Sequence, residues 1–209
     1  MTKIKGIIMD WAGTTIDFGC FAPVNVFVDI FKDEGIKVTI EEAREPMGML
    51  KRDHIKAMAE MPRIKKEWQN QFGKVPTEED IDRLYAQFEK MLMKNLKSFT
   101  DPLPNVVTTI QNLQDDGYLI GSTTGYTKAM MEIVIPEAAQ KDYKPNSIVT
   151  AEQVSGYGRP YPYMIFENMK HLKLTSVKEV VKVGDTIADI REANNAGVIA
   201  VGIVKGSSI

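Results

Sequence analysis

Short, unbroken apolar runs alternate along this chain with stretches whose apolar residues recur at helical spacing. Ile4-Lys5-Gly6-Ile7-Ile8-Met9 is apolar almost throughout and stops at Asp10, followed by Trp11-Ala12-Gly13-Thr14-Thr15. A strand buried on both faces reads in this way. Residues 21–34 then place Val24, Phe27, Val28, Ile30 and Phe31 on one helical face, with Gly35 as the stop. Thr39 and Glu42 have the spacing of a capping box, and a helix is predicted over 47–60, ended by Pro62. Pro76-Thr77-Glu78-Glu79-Asp80 opens a further helix, amphipathic through Tyr85, Phe88, Leu92 and Leu96. Residues 21–99 thus read as all-helical.

The pattern changes after residue 100. Strands are predicted at 118–124, 147–150, 180–185 and 198–204, and helices at 106–115, 128–140, 161–172 and 186–196. Strands alternating with helices predict an α/β fold with a doubly wound parallel sheet. The helical block interrupts this alternation straight after the first strand. The expected division is an α/β core of residues 1–20 and 100–209, with residues 21–99 inserted as a helical cap over the strand ends.

Composition narrows the setting. A chain of 209 residues can bury a core and carry such an insertion. With 26 basic against 28 acidic residues, there is no footprint for a nucleic-acid partner. Cys20 is the single cysteine, which excludes an internal disulfide and fits a reducing cytoplasm. No apolar run is long enough for a membrane span, and the chain opens on a strand rather than a signal peptide. The expectation is a soluble, cytoplasmic protein with no membrane partner.

Candidate chemistry gathers at strand ends, where parallel sheets bind ligands. Asp10 sits at the first of them, with the Gly13-Thr14 backbone N–H groups expected to be available to an anion. A carboxylate there can be a metal ligand, a receiver of phosphoryl groups or a nucleophile. The other features are Ser122-Thr123-Thr124, Arg159 in Gly158-Arg159-Pro160, and Gly184-Asp185-Thr186 with Asp189 one turn on. Singly, each has a plain structural explanation as a helix cap, turn former or surface charge. Together they are the parts of a phosphoryl-transfer site: a carboxylate nucleophile, further carboxylates for Mg²⁺, and a hydroxyl and a cation for phosphoryl oxygens. Asp185 and Asp189, four apart, can face one metal. His171 reads as surface, and Trp11 and Trp68 as packing.

Asp10-Trp11-Ala12-Gly13-Thr14-Thr15, Ser122-Thr123-Thr124-Gly125 and Gly184-Asp185-Thr186-x-x-Asp189 resemble the first, second and fourth motifs of the haloacid dehalogenase superfamily. The segments Pro46-Met47-Gly48-Met49-Leu50-Lys51-x-Asp53-His54, Glu60-Met61-Pro62-Arg63-Ile64 and Gly158-Arg159-Pro160-Tyr161-Pro162 narrow the resemblance to its phosphonoacetaldehyde hydrolase (phosphonatase) family. The resemblance implies a haloacid dehalogenase-like core, a small-molecule phosphonate substrate and hydrolysis of its P–C bond to acetaldehyde and phosphate. Phosphatases of the superfamily place a second Asp two residues after the nucleophile to protonate the leaving oxygen. Ala12 stands there instead. A carbon leaving group needs an electron sink, which an imine between Lys51 and the aldehyde supplies. Met47, Lys51, His54 and Met58 are expected on one helical face, with His54 shuttling protons.

By the same resemblance, Asp10 is the nucleophile, and Mg²⁺ is held by Asp10, the Ala12 carbonyl and Asp185, with Asp189 in support. Thr124 and Arg159 bind phosphoryl oxygens, and Cys20, Met47, Gly48 and Tyr126 shape the pocket. A homodimer through the cap helices is also implied. Family members continue for several tens of residues past Gly206-Ser207-Ser208, so one side of the sheet and the rim of the site are expected to be less covered here. The rival expectations are a phosphate-monoester hydrolase of the same superfamily, a phospho-acceptor domain in which Asp10 is simply phosphorylated, and a truncated relative without turnover.

Overall fold

The computed structural model describes residues 3–205. The opening apolar run forms β1 (Gly6–Met9), and the chain leaves it through a turn to α1 (Phe21–Asp33). Asp17 starts that helix: its carboxylate accepts from the N–H groups of Phe21 (3.1 Å) and Ala22 (3.0 Å), two of the donors a helix start leaves unpaired. Next come α2 (Ile40–Arg44), α3 (Lys51–Glu60), α4 (Pro62–Phe72) and α5 (Glu78–Asn95). The expected box of Thr39 with Glu42 forms, and Thr77 makes a second reciprocal box with Asp80 where the further helix was expected to open.

Two boundaries differ from expectation. The helix predicted from residue 47 starts at Lys51, so Met47 is not on the helical face shared by Lys51, His54 and Met58. The cause is Gly48, which takes φ +89°, a conformation no helix contains. A Cβ there would also run into Thr186 Oγ1 and come within 2.9 Å of Ala188 Cβ. The second concerns Pro62, which does more than stop a helix. It occupies the first turn of α4, where its missing N–H costs nothing.

The rest alternates as the pattern predicts: α6 (Val106–Asp115), β2 (Leu119–Thr123), α7 (Lys128–Gln140), β3 (Ser147–Val149), α8 (Tyr163–His171), β4 (Val180–Gly184), α9 (Ile187–Ala196) and β5 (Ile199–Gly202). The strands make one parallel sheet in the order β3-β2-β1-β4-β5. β1 is central, and the strand order reverses on either side of it. That reversal opens the crevice where such sheets bind ligands. Met9 lies opposite Val183, and Asp10 donates its N–H to the Val183 carbonyl at 2.9 Å, so Asp10 and Asp185 emerge side by side.

Ile8 packs with Ile165, Met169, Val180 and Ala193 beneath α8 and α9. A larger cluster runs from the other face of the sheet into α1, α3, α4 and α5. Trp11 and Trp68 are fully buried, as expected of packing residues. Ile199, Val201 and Val204 remain exposed, and residues 206–209, where the sequence was compared with its family's longer chains, lie outside the described region. Among the described residues no helix is long and apolar enough to cross a membrane.

Phe27 links the helical cluster to the site. It stacks on Phe88 of α5 at 4.4 Å and on His54 of α3 at 3.8 Å. Phe88→Ala should therefore lower the unfolding free energy by about 3–5 kcal/mol, the usual cost of emptying a buried aromatic site. Denaturant titration followed by tryptophan fluorescence measures it, and a loss below about 1 kcal/mol would mean that the stack is not structural.

Candidate active site

A narrow cavity lies over the end of β1. Its wall includes Asp10, Ala12, Cys20, Met47, Gly48, Lys51, Thr124, Tyr126 and Arg159, residues that the sequence brought under suspicion from five separated segments. Thr186, which the sequence marked only as part of the Gly184-Asp185-Thr186 run, also lines it. The helical insertion contributes Lys51 from the first turn of α3, with Met47 and Gly48 from the turn before it. The segments after β1, β2 and β4, Cys20 before α1 and the loop bearing Arg159 supply the rest.

The floor is a cluster of buried charge. Ligand oxygens of Asp10, Asp185 and Asp189 lie within 4.8 Å of one another. Arg159 is clasped from several sides. Its Nη2 pairs with Asp10 and donates to the Thr123 carbonyl at 2.9 Å, its Nη1 lies 3.1 Å from Asp189 Oδ1, and its Nε lies 3.4 Å from Glu192 Oε2. Lys182, equally buried on β4, reaches Asp189 Oδ1 at 2.8 Å and Thr123 Oγ1 at 2.9 Å. Arg159 is in a loop well past β3, rather than at the strand end itself, and only its side chain returns to the floor.

Burial pushes the Asp10 carboxyl up to about 6, with Arg159 working against it. Burial also raises Glu192, whereas in Asp189 the same burial is outweighed by Arg159 and Lys182, which hold it low. Four carboxylates thus face two buried cations, leaving two negative charges in excess when all are ionised. Uncompensated buried charge is costly, and a divalent cation with a preference for oxygen ligands would remove that excess. The donor set therefore fits a divalent metal. Asp185 accepts from Thr14 Oγ1 at 2.8 Å, among its contacts. Asp189 has less to offer, because Oδ1 faces Arg159 and Lys182 while Oδ2 accepts from Thr186 Oγ1 at 2.5 Å.

The opposite wall is apolar. Lys51 is buried, and among the described residues no carboxylate pairs with its Nζ. Its neighbours are ring faces, Tyr126 at 5.3 Å and Phe27 at 5.8 Å. Burial lowers the Lys51 pKa, with the Asp10 charge opposing. The Tyr126 hydroxyl and the Cys20 thiol are both pushed well up by burial, so both stay neutral. Thr124 Oγ1 accepts from the Tyr126 N–H at 3.0 Å, which leaves its own O–H to donate elsewhere.

One expectation needs correcting, and one residue sits deeper than expected. The Gly13-Thr14 backbone is not open to an anion: Gly13 N–H donates to the Ile16 carbonyl (2.8 Å) and Thr14 N–H to the Trp11 carbonyl (3.1 Å), because the turn closes on itself. His54 lies beneath the wall and does not line the cavity. Its Nε2 meets the Ala43 carbonyl at 2.9 Å; a carbonyl only accepts, so Nε2 carries the proton. Burial, with Lys51 nearby, lowers the His54 pKa well below the usual value and keeps the ring neutral. His171, as expected, is partly exposed, beside Glu167 at 3.0 Å.

Lys182, Glu192 and Asp17 were missed. Lys182 carried a signal, being a lone charge inside the apolar run Val180-Val181-Lys182-Val183. Glu192, one turn beyond Asp189, has nothing in its sequence surroundings to set it apart from a solvated helix face.

A family model described as Haloacid dehalogenase-like hydrolase matches residues 7–203. The chain is 59% identical over 206 residues to a phosphonoacetaldehyde hydrolase of Lysinibacillus sphaericus, covering 99% of this chain and 77% of that one. It is 50% identical over 206 residues to a phosphonoacetaldehyde hydrolase of Bacillus cereus, covering 99% and 78%. The crystal structure of a phosphonoacetaldehyde hydrolase-like protein from Oleispira antarctica superposes with a TM-score of 0.92 at 39% identity, over 97% of this chain and 73% of the other. With its five-stranded parallel sheet and the Asp10 cluster at the strand ends, this chain belongs to the haloacid dehalogenase-like hydrolases and, within them, to the phosphonoacetaldehyde hydrolase family.

Proposed function

We propose that this chain hydrolyses the P–C bond of phosphonoacetaldehyde, giving acetaldehyde and phosphate. The observation that carries the proposal is Lys51 in one cavity with Asp10, and Ala12 where an oxygen leaving group would need an acid. The names of its relatives support the same substrate. Neutral Lys51 Nζ attacks the aldehyde carbon, water leaves, and an imine forms. Burial without a carboxylate partner favours the neutral amine that this attack needs. An Asp10 oxygen then attacks phosphorus. The P–C bond breaks, and its electron pair moves into the protonated imine, leaving an enamine on Lys51 and an acyl phosphate on Asp10. Water hydrolyses the acyl phosphate; protonation of the enamine at carbon and hydrolysis release acetaldehyde and restore the amine.

Arg159 and the Thr124 hydroxyl bind the phosphoryl oxygens, and Cys20, Met47, Gly48 and Tyr126 shape the aldehyde end. Asp10, the Ala12 carbonyl and Asp185 hold Mg²⁺, with Asp189 supporting them. Bound there, Mg²⁺ would neutralise charge on the carboxylates and the phosphonate. The His54 shuttle rests on Nδ1, the ring atom with no hydrogen-bond partner among the described residues. Residues 21–99 act as a cap domain on the core, two copies join through the cap, and the setting is cytoplasmic; these three points rest on the family resemblance and the single unpaired cysteine.

The direct assay is Mg²⁺-dependent acetaldehyde release from phosphonoacetaldehyde, run beside a generic phosphate ester. The phosphonate should be the better substrate by at least about a hundredfold, the scale of a positioned catalytic group. Preference for the ester would return the chain to the ordinary phosphatases. Lys51→Arg keeps the charge but cannot form an imine, because the guanidinium stays protonated. Release of acetaldehyde should fall by about three decades or more while Mg²⁺ binding persists, and substantial turnover would sink the imine.

A further expectation separates the two acids on α9 and its N-terminal turn. Asp185→Ala should raise the Mg²⁺ concentration at half-maximal activity by about tenfold or more, within the range for lost metal-site groups. Asp189→Asn, whose oxygens already serve Arg159, Lys182 and Thr186, should raise it less. If Asp185→Ala titrates like the parent, the metal is held elsewhere.

A further inference from the structure

Lys182 and Glu192 have no part in the reaction above, yet both are buried beneath its floor. Glu192 Oε2 accepts from Thr123 Oγ1 at 3.2 Å and lies 3.5 Å from Lys182 Nζ and 3.4 Å from Arg159 Nε. Thr123 Oγ1 in turn accepts from Lys182 Nζ at 2.9 Å and from Arg159 Nη2 at 3.1 Å. The Lys182, Arg159, Asp189 and Glu192 side chains are each 1% exposed or less. A buried ion pair is a poor device for stability alone, since apolar side chains of similar size commonly do as well. Lys182 stands among valines on β4 where such a side chain would fit the surrounding pattern.

The geometry around Arg159 supplies the reason for keeping them. Arg159 is drawn toward Asp10 at the cavity and toward Asp189 and Glu192 behind it. Lys182 shares both rear carboxylates, so it takes up part of their charge and weakens their pull on the guanidinium. Glu192 Oε2 lies 3.4 Å from Nε without a hydrogen bond to it, so it acts on the guanidinium by charge and offsets the pull of Asp10.

We propose that Lys182 and Glu192 are positioning residues whose opposite charges together set the aim of Arg159 at the phosphoryl site. This rests on Arg159 as the phosphoryl-binding cation. Two consequences distinguish it from a packing role. Lys182→Met leaves Asp189 and Glu192 acting on Arg159 alone and should draw it back from the cavity. Removing the Glu192 charge as well should relieve that pull, so the double variant should bind phosphate better than Lys182→Met does.

The probe is inorganic phosphate, titrated by calorimetry in saturating Mg²⁺ into the parent, Arg159→Ala, Lys182→Met, Glu192→Gln and the double variant. Expected are a loss of affinity of about tenfold for Lys182→Met and about threefold for Glu192→Gln, with the double within about threefold of the parent, a coupling usual for neighbours in one charge network. Arg159→Ala separates the premise from the inference: if it binds phosphate like the parent, Arg159 is not the phosphoryl cation and the premise fails. If it does not, then parent-like affinity in Lys182→Met, or a double-variant loss equal to the product of the single losses, overturns the positioning role. Should Lys182→Met fail to fold by near-ultraviolet circular dichroism, Glu192→Gln, which keeps its shape, decides the matter: unchanged affinity refutes the inference, and the threefold loss supports it.

Discussion

The floor of this site is organised by one buried guanidinium. Arg159 is held by Asp10, Asp189, Glu192 and the Thr123 carbonyl at once, so groups from β1, β2 and α9 are fixed relative to a single side chain. Those carboxylates could not be brought so close without cations among them, because like charges in a low dielectric repel strongly. Lys182 supplies the second cation. The carboxylates still outnumber the cations, and a divalent metal would balance the remainder. The raised Asp10 pKa expresses the same imbalance, since burial favours its proton while Arg159 opposes.

Across the cavity the rule is reversed. Lys51 sits among ring faces with no carboxylate partner among the described residues, so desolvation outweighs the more distant charges and lowers its pKa. A floor of carboxylates interleaved with two cations and an amine wall whose burial favours neutrality line one cavity. The helical insertion makes the second environment possible. Phe27, packed between Phe88 and His54, backs the helix that carries Lys51, and Gly48 brings the preceding turn against Thr186. Outside the insertion the cavity is lined by carboxylate, hydroxyl and thiol groups and Arg159; the amine that lines it, Lys51, comes from the insertion.

Much of this was legible in the residues. Apolar runs ending on Asp10 and Asp185 marked the strand ends, since burial on both faces leaves no room for alternation. Helical spacing, capping boxes and terminal glycines placed most helices to within a residue or two. What failed did so for local reasons. A glycine at positive φ moved the start of α3 to Lys51, and the Gly13 turn used its own N–H groups internally. Glu192 was illegible because a buried acid and a solvated one at the same helical position look alike until the loop bearing Arg159 is folded over it. His54 was legible as a neighbour of Lys51 but not as a ring tied to Ala43, a contact between separate helical segments.

The central claim is that Lys51 carries the substrate as an imine while Asp10 takes the phosphoryl group. Borohydride added during turnover of phosphonoacetaldehyde tests it most directly, with peptide mass spectrometry locating the reduced adduct. The account predicts progressive inactivation and an aldehyde-derived fragment on the peptide containing Lys51, dependent on substrate. Full activity after treatment, or a fragment attached to a different lysine, would contradict it.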